Sequence, residues 1–135
     1  MGTLLNPYLS FRDNAREAME FYQSVFGGDL QLMTFDNMPG ADPSEHHKVM
    51  HGQLTTQAGV LMGADTPAGM EHTPGGPPIC LSGTDEDVLR GWWDALSSSG
   101  TVTYDLQPAP WGDSYGTCTD RFGVDWMFNV GSAPA

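Results

Sequence analysis

Ala15, Ala18, Met19, Tyr22, Val25 and Phe26 recur at three- and four-residue spacing, the period of a helix with one apolar face. Asn14 with Glu17 three residues on has the form of a capping box, Asp13 is an alternative cap, and Gly27-Gly28 stops the run. Ahead of this helix, Pro7-Tyr-Leu-Ser-Phe11 alternates over a length suited to a strand. Behind it, three more strands are expected at Leu30 to Phe35, Val49 to Thr55 and Val60 to Ala64. Gln57-Ala-Gly59 is short enough for a hairpin, whereas Asp36 to Lys48 has the Pro, Gly and Asp content of a mobile loop. The order is βαβββ.

The pattern then starts again. Asp65 to Pro78 is rich in Pro and Gly and reads as a linker, centred on residues 66–77. Ile79 to Ser82 repeats the first strand, and Thr84 with Asp87 offers a second cap. Val88, Leu89, Trp92, Ala95 and Leu96 form a second helical stripe that Gly100 ends. Thr101 to Leu106, Tyr115 to Thr119 and Val124 to Val130 supply three strands, the last two flanking the turn Asp120-Arg-Phe-Gly123. Leu9-Ser10 matches Leu81-Ser82, and Gly28 matches Gly100, at one separation of 72 residues. A start and a stop signal at one offset imply two copies of a βαβββ unit, 5–65 and 78–131, within one 135-residue domain.

Composition narrows the function classes. Five basic residues against seventeen acidic give a net charge of −12, which disfavours nucleic acid and anionic membranes as partners. The N-terminal residues lack a basic start and an apolar run, and no stretch approaches the ~20 apolar residues that span a bilayer, so a cytoplasmic protein is expected. The two cysteines, Cys80 and Cys118, each fall in an expected strand and read as buried free thiols.

Trp111-Gly-Asp113, then Asp120-Arg-Phe-Gly123, then Trp126-Met-x-Asn129 resemble the PhnB-like branch of the vicinal oxygen chelate superfamily, the group of glyoxalases, extradiol dioxygenases and bleomycin-resistance proteins. Phe21-Tyr22, Phe26-Gly-Gly28 and Val49-Met-His51 extend the resemblance over nearly the whole chain. It implies an α+β fold in which two tandem βαβββ units form an open, curved, barrel-like mixed sheet with the helices outside. It also implies a homodimer and a small-molecule ligand in the sheet cavity.

Members of the superfamily that do metal chemistry hold a divalent ion through His and Glu side chains on the first and last strands of each unit. Counted from the matching motifs, those positions are Pro7, Gly63, Ile79 and Met127 here, none a ligand for a hard or borderline cation. Their neighbours Tyr8, Ser10, Asp65, Cys80, Asp125 and Asn129 include oxygen donors but no histidine. The expectation is therefore no cofactor and a metal-independent binding protein for an apolar or aromatic molecule. The competing expectation is a lyase, isomerase or dioxygenase with relocated ligands for Mn, Fe, Ni or Zn. Chains of this branch also carry a ubiquinone-precursor methyltransferase label; no glycine-rich S-adenosylmethionine loop follows a strand here, so that activity is not expected.

Alternation in Val49 to Leu54 places His51 and Gln53 on one face, turned to the cavity if Met50 and Leu54 support the first helix. His51 is the best catalytic candidate, as an acid or base near neutral pH, against the plainer reading of a histidine satisfied by a neighbouring strand or water. Trp111, Asp113 and Ser114 lead into the final hairpin as an aromatic wall with polar handles, or as a core end or dimer contact. Met127 and Asn129 share one face of the last strand, opposite Trp126 and Phe128. Glu45-His46-His47 and Glu71-His72 read as solvated loop residues, and Asp120 and Arg121 as turn chemistry.

Overall fold

Apolar side chains on one face of each helix and on alternate strand positions can leave water only by packing a helix on a sheet. A computed structural model, which describes residues 5–37, 43–66 and 76–131, has this arrangement twice. The chain divides into two compact units, Met1–Gly76 and Pro77–Ala135.

The first unit runs β1 (Tyr8–Phe11), α1 (Ala15–Phe26), β2 (Asp29–Thr34), β3 (Val49–Thr56) and β4 (Gly59–Asp65). Its sheet has the order β1-β4-β3-β2, with β1 parallel to β4 and the other pairs antiparallel. Two 3-10 turns, Phe35–Asn37 and Pro43–Glu45, occupy parts of the segment read as a mobile loop, of which residues 38–42 lie outside the described residues. Glu71-His72 and most of the linker do also.

The second unit runs β5 (Ile79–Gly83), α2 (Glu86–Ser97), β6 (Thr101–Pro108), β7 (Ser114–Thr119) and β8 (Asp125–Val130). Its order β5-β8-β7-β6 repeats that of the first sheet, again with the first pair parallel. Both are mixed four-stranded sheets with two open edges, so neither closes on itself.

Each helix packs on one face of its own sheet. Ala15, Ala18, Met19 and Tyr22 of α1 are fully buried, each large side chain contributing about 1.5–3 kcal/mol. Leu89, Trp93 and Leu96 are the buried residues of α2, so the stripe runs through Trp93, whose ring meets Phe128 edge-on at 5.3 Å, and not through Trp92. Gly52 and Gly63 face α1: a Cβ on either would lie within 3.4 Å of Met19.

Both helix starts differ from their sequence reading. Asn14 occupies the N-cap of α1 without a side-chain bond, and the N–H of Ala15 donates instead to Asp65 Oδ1 at 3.0 Å. At α2 the cap is Asp85, not Thr84, its carboxylate accepting from the N–H of Val88. Of the two thiols expected to be buried, Cys118 is and Cys80 is exposed. Cys80 pairs with Met127 across β5 and β8, on the face away from α2.

Candidate functional site

Alternation leaves each sheet a second face that its helix does not cover. In the first unit that face carries Tyr8, Met62, Gln53, His51 and Met33, since Leu9, Gly52, Leu54 and Gly63 point to the helix side. The Tyr8 hydroxyl lies 3.3 Å from His51 Nδ1 with the rings 5.8 Å apart, and burial raises the Tyr8 phenol above its ordinary 10.0. His51 thus has a phenol partner from β1, 43 residues away in sequence. Gln53 stands two residues along the same strand, opposite Met62 on β4 and Gln31 on β2.

In the second unit, Gly116 faces α2, because a Cβ there would meet the Trp93 ring at 2.9 Å. Tyr115, Thr117 and Thr119 therefore occupy the other face, with Asp125, Met127 and Asn129 beside them on β8. Here lies a recess of about 300 Å3 walled by Tyr115, Thr117, Thr119, Thr103, Asp125 and Met127, with Pro78, Cys118 and Trp126 completing it. Thr103 and Thr117 join hydroxyls at 2.5 Å, and the Thr119 hydroxyl donates to Asp125 Oδ1 at 2.6 Å.

A hydrogen-bond chain borders this recess. The Trp111 indole N–H donates to Asn129 Oδ1 at 3.1 Å, and Asn129 Nδ2 donates to Asp113 Oδ2 at 2.9 Å. Trp111, Asp113 and Asn129 are thus brought together around Tyr115, whose ring centroid is 5.6 Å from that of Trp111 and 5.9 Å from that of Tyr104. Met127 is on the same face. Ser114 alternates to the helix side with Gly116 and stands apart from the group. Tyr104 escaped the sequence reading because register shifts on either side of it interrupt the alternation of β6; an aromatic opposite β7 was the available signal.

The donors on these faces are poorly placed for a divalent cation. Pro7 precedes β1, Gly63 points at α1, and Ile79 pairs with the buried Trp126, so three of the four counted positions fall one residue off the helix-free faces. The residues on those faces are Tyr8, Met62, Cys80 and Met127. Asp65 is buried, its two oxygens accepting the backbone N–H groups of Ala15 and Val49 at 3.0 and 2.9 Å. Among the described residues, no three His, Cys, Asp or Glu gather as a cation would require. Neither face gathers enough donors for a divalent ion: at these positions the first unit offers a phenol and a thioether, and the second a single thiol beside a thioether, where such an ion takes three or four His, carboxylate or thiolate ligands.

These paired units define the glyoxalase/bleomycin-resistance class of fold. Over residues 4–128 the chain matches the family described as 3-demethylubiquinone-9 3-methyltransferase, and it belongs to that family, the PhnB-like branch of the vicinal oxygen chelate superfamily. It is similar to the solved protein PA1353 from Pseudomonas aeruginosa, 31% identical with a TM-score of 0.87, over 98% of this chain and 100% of that one. The PhnB protein from Bacillus cereus aligns over 96% of this chain and 100% of its own, at 22% identity and a TM-score of 0.72. A glyoxalase/bleomycin resistance protein/dioxygenase superfamily member from Sphaerobacter thermophilus shares the fold at 18% identity, with a TM-score of 0.59 over 96% and 98% of the two chains. No described helix is long and apolar enough to cross a membrane.

Proposed function

We propose that this protein binds a small apolar or aromatic molecule on the helix-free faces of its sheets without a metal ion, and that it acts as a homodimer. The observation that carries the reading is the recess beside Tyr115, with aromatic, thioether and hydroxyl walls bordered by the Trp111-Asn129-Asp113 chain. Ligand sites are concave and mostly apolar with a few fixed polar groups, and a recess of about 300 Å3 has the size for one small molecule. The poor fit of each face to a divalent cation, with Tyr8 and Met62 at these positions in the first unit and Cys80 and Met127 in the second, supports a degenerate metal site.

Methyl transfer is not part of the reading. Binding of S-adenosylmethionine or a nucleotide in a doubly wound sheet relies on parallel strands with a glycine-rich turn into a helix, whereas both units here are mixed four-stranded sheets. The test is elemental analysis of untagged protein with thermal shifts against Mn2+, Fe2+, Ni2+, Zn2+ and a panel of aromatic compounds. The expected result is no stoichiometric metal, no shift with saturating ions, and a shift with an aromatic ligand that Trp111→Ala removes. A stoichiometric metal lost on His51→Ala would overturn the reading in favour of a metal-dependent lyase, isomerase or dioxygenase. Sedimentation of the same sample is expected to give a dimer, and a monomer at all concentrations would remove that part.

A further inference from the structure

We propose that the recess of the second unit selects a planar aromatic cation, held between Tyr115 and Asp125, with the Trp111 indole beside Tyr115 as a fixed stacking surface at that end of the recess. The inference rests on the small-molecule reading above and adds the charge and shape of the ligand.

Trp111 is 60% exposed, so core burial does not hold it. Its orientation comes from the hydrogen bond to Asn129, which Asp113 holds in turn. With its only donor used inside the protein, the indole offers a ligand its apolar ring. Exposing a large aromatic while fixing it by polar bonds costs solvation and side-chain entropy, which stacking on a flat partner would offset. The rings beside it are not spent on each other face to face: Trp111 meets Tyr115 at 69° and Tyr104 meets Tyr115 at 57°.

Charge decides between a cation, a neutral ring and an anion. The face of an aromatic ring is the negative pole of its quadrupole. Tyr115 shares the recess wall with Asp125, whose Oδ1 accepts from Thr119, and Asp113 stands at the Trp111 border. From residue 77 onward the chain has two basic residues, Arg90 and Arg121, against eight acidic ones. Arg90 lies on α2 paired with Glu86, and Arg121 lies in the β7–β8 turn over the Phe122 ring. Among the described residues that wall or border the recess, an anion would meet two carboxylates and no basic side chain, and a neutral ring would draw nothing from the charge of Asp125. A planar cation uses the ring faces and the carboxylate together.

Three probes of matched shape test this at about pH 8: N-methylacridinium, neutral acridine and anthracene-9-carboxylate, titrated by calorimetry against the full chain. The cation is expected to bind about tenfold more tightly than acridine, and the anion more weakly than either. Asp125→Asn is expected to bring cation and neutral within about threefold of each other, chiefly by weakening the cation, and Trp111→Ala to weaken both by about tenfold or more. Asp94→Asn on α2 removes the same charge elsewhere and is expected to leave the preference intact. Acridine binding as tightly as the cation to the unmutated protein would overturn the selection while leaving the small-molecule reading standing, and needs no variant to fold. Equal loss of preference in Asp94→Asn and Asp125→Asn would overturn it too, by assigning the attraction to net charge. If none of the three probes binds, the inference fails, and the aromatic panel above decides the broader reading separately.

Discussion

The buried carboxylate of Asp120 accepts the indole N–H of Trp126 at 2.9 Å. The same side chain accepts the backbone N–H groups of Phe122 and Val124, at 2.8 and 3.1 Å. Asp120 thus does more than begin the turn: it ties the turn between β7 and β8 to the largest fully buried side chain described in the protein. Asp120→Ala leaves three donors without this acceptor, two of them next to the core. It is expected to lower stability by about 2–4 kcal/mol, against under about 1 kcal/mol for Arg121→Ala, as read from urea midpoints.

Asp65 does the corresponding work in the first unit, joining the first turn of α1 to the start of β3 through Ala15 and Val49. Asp65→Asn keeps the shape but replaces one acceptor oxygen by an amide that faces a donor. A loss of about 2–3 kcal/mol is expected in denaturant titration. A metal role for Asp65 would instead give a variant of near-normal stability in metal-free buffer.

Gly28 and Gly100, the pair that revealed the repeat, occupy the same kind of place. A Cβ on Gly28 would sit 2.1 Å from the Thr55 carbonyl oxygen, and one on Gly100 would sit 2.1 Å from that of Thr119. Backbone on both sides leaves no room to yield, so Gly28→Ala and Gly100→Ala should each cost more than about 2 kcal/mol. Gly91, within α2, has open space where a methyl group would stand, and Gly91→Ala is expected to stabilise by about 0.5–1 kcal/mol. Thermal melts of the three variants should separate into two falls and one rise.

The repeat was legible because local chemistry carried it: a stripe of period 3.6, a stop glycine, and β-branched runs around a turn. What the sequence could not disclose came from long range. The α1 donor at Ala15 is satisfied by Asp65, 50 residues on, so the Asn14 capping box misled. Three of the four counted ligand positions fell one residue from the helix-free faces because only pairing partners such as Tyr8 with Met62 fix the register. Trp111, Asp113 and Asn129 were each named from one stretch, but their bonded order depends on the loop before β7 reaching over β8.

Acid should expose the link between Asp13 and Lys48. Asp13 Oδ1 lies 2.7 Å from the largely buried Lys48 ammonium, whose hydrogen bond holds the Asp13 carboxyl below its ordinary 3.8. A carboxyl depressed in the folded state adds stability above its unfolded value, and that stability disappears as pH falls through the lower, folded value. Asp13→Asn should therefore destabilise at neutral pH and flatten the acid limb below about pH 4 in urea midpoints taken across pH. A parallel pair of curves would show that the ion pair contributes nothing.

The two thiols should behave as different reagents. Cys118 is buried, and burial first, then the charges of Asp120 and Asp125, push its thiol up from 9.0 to about 11. Thiolate is the reactive form, so Cys118 is unreactive at neutral pH for two reasons, access and protonation. Cys80 is exposed beside Met127. An aromatic disulfide reagent at about pH 8 should titrate one thiol quickly in native protein and the second only on unfolding, and Cys80→Ser should abolish the fast phase. Stability linked to Cys118 should be fully present below pH 9.0 and lost as pH rises towards about 11, because the unfolded chain ionises first. Cys118→Ala should remove that alkaline decline at the cost of about 1 kcal/mol or more from the smaller side chain, whereas Cys80→Ser should leave it in place.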